Sequence, residues 1–515
     1  MSPTIIRWAR SNAGGEDEDE YDSTPGVRSR GLRPRGGDPG RRDDRGGRNR
    51  RLSVPHPAGH RRLRRDRAAV RALTGSAARR VAVIGGGVSG LTAAWVLARD
   101  CEVVLYEADS RLGGHAHTHE AAARADAVSD RLGMDSEFIV HNDRTYSTLL
   151  RLFGELGIRT QDSDMSMSVR CDGCGLEYAG AKGMRGLFPE PGALRCMAYL
   201  RMLREITRFH RLARAELAGA GDELRTLGEF LRAAAFSPYF EAHFMVPLVA
   251  AVWSCAPRLA LEYPARYLFM FLEHHGMLTA LGSPTWHTVC GGSSTYVRAV
   301  SDRLHEVRSG VPVRAVYRAS RTVAVRDDAD DVDFFDAAVI ATHPDQALRL
   351  LDAPTLRESA ILGALPYSEN RTVLHTDDSV LPRSTGARAS WNYRLPDCAA
   401  APDRVLVSYD LTRLQRPART AERRFLVTLD DGDRVDRDAV LATMTYEHPQ
   451  YTTESMAARR RLPEIGDHTV AFAGAYHGWG FHEDGALSGL RAAERVGGQW
   501  CTRQPVSAIA ERSPA

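Results

Sequence analysis

Val81-Ala82-Val83-Ile84-Gly85-Gly86-Gly87-Val88-Ser89-Gly90 is the stretch that decides the fold. Its first four residues form a continuous apolar run closed by glycine, the pattern of a strand buried on both faces of a parallel sheet. Gly85, Gly87 and Gly90 then fill the three positions of G-x-G-x-x-G, and Leu91, Ala94, Trp95 and Ala98 follow at helical spacing. In this motif Gly85 permits a tight turn, Gly87 lets a pyrophosphate approach the backbone, and Gly90 lets the helix pack closely on the strand. The anion sits on free N–H groups at the helix start, here Val88 and Ser89, where the dipole favours negative charge. A second apolar run, Val103-Val104-Leu105-Tyr106, ends in Glu107, 22 residues after Gly85. A carboxylate at that place accepts both hydroxyls of a ribose. Glutamate, rather than a small residue followed by arginine, argues against a 2′-phosphate.

The chain has 515 residues, 43% of them hydrophobic and 26% charged, which excludes a fibrous or wholly disordered protein. As a prior that length allows two or three domains. Phe244 to Cys255 is the longest strongly apolar stretch, and Pro247 interrupts it. A spanning helix needs roughly 20 apolar residues, so no transmembrane segment is expected, while peripheral membrane contact stays open. Net charge is +3, unevenly spread: residues 1–70 carry 17 Arg against 10 Asp/Glu, a surplus of +7 that leaves −4 for the remaining 445 residues. The body therefore has no general basic surface for nucleic acid. Residues 1–78 hold too few aliphatic side chains to offset chain entropy and are expected to be a disordered Arg/Gly-rich extension; 503–515 read as a disordered tail. No apolar run of secretory type follows the first charges, and the expected location is cytoplasmic.

Eight cysteines are scattered along the chain, as in a reducing compartment. Cys171-Asp-Gly-Cys174 is the only close pair. Structural zinc wants four ligands, usually with a second pair at matching spacing, and the sequence offers none. The preceding Met165-Ser-Met-Ser-Val-Arg170 alternates apolar and polar, so a hairpin turn is expected there and no metal. His115, His117 and His119 would share one face if extended; they follow the phosphate loop directly, and no metal is expected at them either.

Asp109-Ser-Arg111-Leu-Gly113-Gly114-His115 resembles the Arg-x-Gly-Gly segment that follows the ribose-binding acid in amine-oxidase-like flavoproteins. Near the other end, Val470-Ala-Phe-Ala-Gly474 leads into Tyr476-His477-Gly-Trp479-Gly-Phe-His482-Glu-Asp484-Gly485-Ala486-Leu-Ser488-Gly489, which resembles the second flavin motif of that superfamily. There the acidic residue contacts the ribityl chain and the new helix points its N-terminus at the flavin ring. The resemblance implies FAD as cofactor. It also implies a Rossmann-like α/β domain built from discontinuous segments, with a mixed helical and β-sheet substrate domain. FAD-binding roles then fall on Gly85, Gly87, Val88, Ser89, Gly90, Glu107, Arg111, Gly113, Gly114, His115, Gly474, Asp484, Gly485, Ala486 and Ser488. Val313, in Ser309-Gly-Val-Pro-Val313-Arg314, is the candidate for backbone bonds to adenine.

Further segments, among them Phe138-Ile-Val-His141-Asn142, Ser166-Met-Ser168, Gly175-Leu-Glu-Tyr178 and Pro284-Thr-Trp286, resemble one bacterial branch of predicted NAD/FAD-binding, amine-oxidase-like proteins. That branch is associated with cyclopropane-fatty-acid-synthase-like methyltransferases. The likeness spans about residues 79–500 and implies redox chemistry on a fatty acyl or other lipid chain, with a methyltransferase as partner. Two positions depart from the superfamily pattern. Asp135-Ser136-Glu137 stands where Asp-x-Gly is general, which puts bulk and charge beside the flavin. Lys182 is the only lysine, so the lysine-held water common to amine oxidases has no evident bearer.

The expected organisation is extension 1–78, FAD-binding segments 79–145, 287–350 and 465–502, substrate-domain segments 146–286 (mostly helical) and 351–464 (sheet), and tail 503–515. Aromatic residues between 236 and 282 suit both a helical core and the wall of an apolar pocket. His477, His482 and Tyr476 are the candidate catalytic residues, and Trp286, Trp479 and His141 the candidate substrate contacts. The expected activity is hydride transfer between flavin N5 and an apolar substrate. Alternatives are an amine oxidase, a carotenoid-type desaturase or isomerase, and a non-catalytic flavin-binding partner of a lipid methyltransferase.

Overall fold

A five-stranded parallel sheet carries the opening motif at its centre, in the order Glu306–Ser309, Cys101–Glu107, Arg79–Ile84, Ala337–Ile340, Val470–Phe472. In this computed structural model residues 78–122, 131–219, 224–278, 283–399, 402–417 and 423–500 are described. The expectations for the extension and for the tail from 503 on lie outside them. Alternation along Arg79–Ile84 explains its central place. Val81 and Val83 enter a core with Leu91, Ala94 and Leu97 of helix Val88–Leu97, while Ala82 and Ile84 enter a second core with Val104, Ala338 and Ile340. Both faces are covered, as a parallel strand requires.

The second layer is a seven-stranded sheet ordered Val440–Pro449, Tyr367–His375, Leu426–Leu429, Val407–Asp410, Trp391–Leu395, Met167–Cys171, Glu177–Ala179. Its neighbours are antiparallel except Trp391–Leu395 with Met167–Cys171. Val169, Tyr178, Tyr393, Val407 and Val427 on one face share a core with Tyr199, Met202, Ile206 and Phe209 of the long helix Met197–Ala218. Helices Leu227–Ala233, Val246–Trp253 and Ala265–His274 complete that core, Phe240 and Phe269 being fully buried in it. Thr226 opens the first of the three with a capping box, its side chain accepting from Glu229 N–H and its own N–H donating to the Glu229 carboxylate. The Arg170–Glu177 hairpin forms where the alternation placed one.

Short pieces tie the layers together. Thr118–Ala122 pairs with Arg131–Asp135, and Trp286–Val289 pairs with both His141–Asn142 and Thr160–Asp162. Asp135 is the knot: its buried carboxylate accepts from Ser293 N–H (2.9 Å), Ser293 Oγ (2.7 Å), Thr118 Oγ1 (2.5 Å) and Gln415 Nε2 (3.0 Å). Burial pushes it up to about 6, against the pull of those hydrogen bonds. Among the described residues no helix is long and apolar enough to cross a membrane.

Candidate active site

The nucleotide loop is built by glycines in mutual contact. Gly85 has φ +104°, and a Cβ there would stand 2.5 Å from the Ala341 carbonyl oxygen; a Cβ on Gly90 would collide with the Gly85 carbonyl. Gly113 bridges to Gly87 and donates its N–H to Gly86 O at 2.9 Å. Gly114, with φ +55°, lies against Gly87 Cα, and Arg111 holds this second turn by donating to Gly114 O at 2.9 Å. Glu107 accepts from Gly86 N–H (2.7 Å) and Asp109 N–H (2.9 Å), which fixes its carboxylate at the end of its strand. Val311 and Gly310 donate to the carbonyls of Glu107 and Asp109, so Val313, two residues on, starts its own strand beside the same edge.

The second motif converges on the first. Helix His482–Arg495 lies on helix Val88–Leu97 because Gly485 and Gly489 have no side chain: Cβ atoms there would meet Val88 Cγ1 at 2.6 Å and collide with the Ser89 carbonyl. Ser488 Oγ accepts from Gly474 N–H (2.9 Å) and donates to Gly485 O (2.8 Å), tying the strand end to the helix, and Ala486 is fully buried. Asp484 turns back on its own helix start, accepting from Phe481 N–H at 3.0 Å. Burial raises it to about 6, with the Phe481 and Trp479 N–H groups opposing. Gly478 O collects donors from Tyr267, Tyr451 and Arg459 at 3.1, 3.1 and 2.7 Å, which anchors the loop between strand and helix.

These residues fit FAD. Helix Val88–Leu97 has neither a side-chain cap nor an acidic residue in its first turn, and a Cβ on its N-cap Gly87 would meet nothing within 4 Å. An open glycine beneath uncapped N–H groups is what a pyrophosphate needs.

A cavity of about 690 Å³ runs from these segments into the helical layer. One group of wall residues is polar and comes from the motif side: His115, Ser136, Glu137, His448 and His482. The remainder is mostly apolar, with Met167, Leu187, Ile206, Phe244, Leu248 and Leu272 among them, until Thr207, His210 and Arg214 on helix Met197–Ala218 add a second polar group. Among the described residues Arg214 is the only Lys or Arg on the wall.

Glu137 is paired. Its Oε1 lies 2.5 Å from His448 Nε2, whose Nδ1 is 2.7 Å from Asn370 Oδ1. Burial alone would raise Glu137, but the charge and hydrogen bond of His448 hold it below the usual carboxylate range. His115 stacks on His448 with ring centroids 5.5 Å apart, and burial pushes it down to about 4 despite Glu137. The glutamate that departs from the superfamily pattern thus belongs to a Glu–His–Asn chain on the cavity wall. His448 and Asn370 went unremarked in the sequence because they sit on neighbouring strands, Val440–Pro449 and Tyr367–His375, far from both motifs.

The other candidates divide. His482 and Trp286 line the cavity; His482 stacks on Phe138 at 3.6 Å, lies 3.2 Å from Tyr296 OH through Nε2, and is held well below its ordinary value by burial. Tyr476, His477, Trp479 and His141 are not among the residues lining this cavity. Tyr476 is 1% exposed within the core under the parallel sheet, and burial lowers His477 and His141 to about 4 each. His117 and His119 pack against each other with tilted rings, centroids 4.0 Å apart, while His115 stacks on His448. Lys182 donates to Arg388 O and does not line the cavity.

Two glycine-built helix starts, a carboxylate-ended strand and an adjoining, partly open cavity define an oxidoreductase of the flavin-dinucleotide class. Residues 88–381 match the family model of the flavin containing amine oxidoreductases, and the chain belongs to that family. Its cofactor is FAD and it is an FAD-dependent oxidoreductase. A search of curated proteins finds no match. Solved structures give the fold: cyclohexylamine oxidase from Brevibacterium oxydans IH-35A superposes with TM-score 0.57 at 16% identity, over 81% of this chain and 98% of that one. Putrescine oxidase bound to putrescine gives 0.58 at 15% identity over 81% and 98%. A CLA-producing fatty acid isomerase from P. acnes gives 0.55 at 14% identity over 80% and 97%.

Proposed function

We propose that this oxidoreductase acts on a fatty acyl or other lipid chain carrying a negative head group. The observation that supports it most is the cavity: a mainly apolar space with a single guanidinium, Arg214, among its described lining residues. Burying methylenes contributes about 0.8 kcal/mol each, so such a wall selects long hydrocarbon over small polar amines. When bound, FAD supplies hydride transfer at N5. The chain's own residues do the rest. Leu248, Ile206 and Leu272 hold the hydrocarbon and exclude water, Arg214 fixes the head, and the Glu137–His448 pair presents a hydrogen-bonded acid–base couple on the motif-side wall. The fold also carries a fatty acid isomerase, and the resemblance to the methyltransferase-associated branch points the same way.

The test is anaerobic titration of the purified flavoprotein with fatty acids, phospholipids and, in parallel, di- and monoamines, following flavin absorbance. Bleaching by an acyl compound and not by amines is the expected result. Bleaching by amines alone replaces the acyl reading with an amine oxidase.

A further inference from the structure

Cys171, Cys174, His243 and Cys398 bring one ligand atom each into a group whose members all lie within 4.8 Å of one another. They come from three separate places: the hairpin turn after strand Met167–Cys171, the π-helical turn Glu241–Met245, and the loop after strand Trp391–Leu395. His243 is 69 residues from Cys174, and Cys398 is 227 from Cys171, which is why sequence spacing alone exposes only the Cys171–Cys174 half. We propose that these four side chains form a closed structural zinc site that clamps the wall of the substrate cavity.

Geometry carries the assignment. Around a tetrahedral zinc with Zn–S of about 2.3 Å and Zn–N of about 2.05 Å, two sulfurs stand about 3.8 Å apart and a sulfur and a nitrogen about 3.6 Å. Cys171 Sγ and Cys398 Sγ are 3.7 Å apart, and Cys174 Sγ and His243 Nε2 are 3.6 Å apart. A disulfide would bring two sulfurs to about 2.05 Å. His243 is already oriented as a ligand. Its Nδ1 is 3.1 Å from the Tyr239 carbonyl and donates to it, which leaves the Nε2 lone pair aimed at the sulfurs. The hairpin has the form of a metal knuckle: Cys174 N–H bonds the Cys171 sulfur, Leu176 N–H bonds the Cys174 sulfur, and Gly175 turns the chain with φ +73°. Such N–H···S bonds stabilise thiolates, the form in which cysteine binds metal. On the other side, a Cβ on Gly173 would meet Asp397 Cα at 2.8 Å, so only glycine lets the knuckle reach the loop that bears Cys398.

All four ligands are protein atoms, so no position is left for substrate and the site is structural. Binding releases the thiol protons and changes no oxidation state. Its place gives it a purpose: Phe244, next to His243, and Val169 and Tyr178, on the two strands of the knuckle, all line the cavity, and Tyr178 OH donates to His243 O at 2.8 Å. One ion therefore holds strand, hairpin and helix start in register around the pocket.

Metal analysis of the full-length flavoprotein, purified from zinc-supplemented medium, should give one zinc per chain. Its X-ray absorption should show three sulfurs at about 2.3 Å and one nitrogen at about 2.05 Å. Cys398→Ser and His243→Ala should each lower retained zinc about tenfold or more, while Cys290→Ser and Cys101→Ser retain it. Flavin absorbance reports folding and cofactor binding separately from the metal. The proposal is overturned if flavin-loaded wild-type protein holds below roughly a tenth of an equivalent of zinc. It is equally overturned by an absorption shell of oxygen and nitrogen only, or by thiol counting that finds Cys171 and Cys398 joined.

Discussion

Glu137 and His448 meet at 2.5 Å on the cavity wall, with side chains only 15% and 13% exposed. Removing His448 leaves a buried carboxylate without its partner, so His448→Ala should cost about 3–5 kcal/mol of folding stability. Adding Glu137→Gln to it should recover a large part, because the orphaned charge is then gone. Since Glu137 is held below its ordinary value when folded, the pair stabilises fully above the usual glutamate range and weakens as pH falls through the depressed value. Urea denaturation of the wild type, His448→Ala, Glu137→Gln and the double variant at pH 7 and at pH 4 checks both statements. Equal stability losses for His448→Ala and the double variant would refute the pairing.

The approach of helix His482–Arg495 to helix Val88–Leu97 depends on Gly489, where a side chain would collide with the Ser89 carbonyl. Backbone cannot yield there without moving the turn that receives the pyrophosphate. Overpacking of this kind costs about 1–3 kcal/mol, so Gly489→Val should weaken FAD binding roughly tenfold or more. Gly154→Ala is the control: it lies in helix Ser147–Leu156 with nothing within 4 Å of a new Cβ, and it should leave flavin content unchanged. Flavin absorbance per mole of purified protein is the measurement.

Arg214 supplies the test of the head-group assignment. Losing a charge-assisted hydrogen bond to a carboxylate should raise KM for a free fatty acid roughly tenfold or more while changing kcat little. Arg214→Gln should show that pattern, and should be almost silent toward a methyl ester of the same chain. Leu248→Trp, which fills the tunnel, should penalise long chains more than short ones. Steady-state kinetics across chain lengths separates the two effects, and equal losses on acid and ester would count against an anion site at Arg214.

The two cofactor motifs were legible because each is local: a strand, a glycine turn and a helix start lie within a few tens of residues, and their chemistry is written in glycines. Long-range relations were not. Glu137 was visible only as an irregularity, since its partners His448 and Asn370 are set by strand register in the seven-stranded sheet. Cys171 and Cys174 read as a lone pair because His243 and Cys398 arrive by folding; the Cys-x-x-Cys-Gly knuckle was the available signal. Tyr476, His477 and Trp479 show a third limit. In a tight turn adjacent side chains diverge, and these three are not among the residues lining the cavity, whereas His482, at the helix start, is. The aromatic run from 236 to 282 proved to be both core and wall, with Phe240 and Phe269 buried in packing and Phe244 and Phe271 lining the tunnel.

Acid should unfold this protein earlier than its carboxylates alone would dictate. Burial pushes His115, His141, His275, His375 and His477 down to about 4 each, so between pH 6.5 and about 4 the unfolded chain binds protons that the folded one refuses. Stability must then fall as pH falls through that window, at about 1.4 kcal/mol per pH unit for each proton of difference. Asp135 and Asp484, raised to about 6, act in the opposite sense: they bind protons more readily when folded, and their contribution is lost as pH rises from about 4 to 6. Burial also lowers His117, His119, His210, His274 and His482 and raises Glu241, Asp430, Asp431 and Glu483. Among the described residues ten depressed histidines therefore stand against six raised carboxyls, and the net slope favours neutral pH. His375 isolates a single member. It accepts the Asp377 N–H at Nδ1 (3.2 Å) while its Nε2 faces Thr428 Oγ1 (2.7 Å), so a second ring proton would point at another N–H. His375→Gln should make the decline between pH 6.5 and 4 shallower by about one proton, and Asp135→Asn should make it steeper. Chemical denaturation at half-unit pH steps would measure both, and parallel curves for wild type and His375→Gln would show that this histidine is protonated in the folded protein.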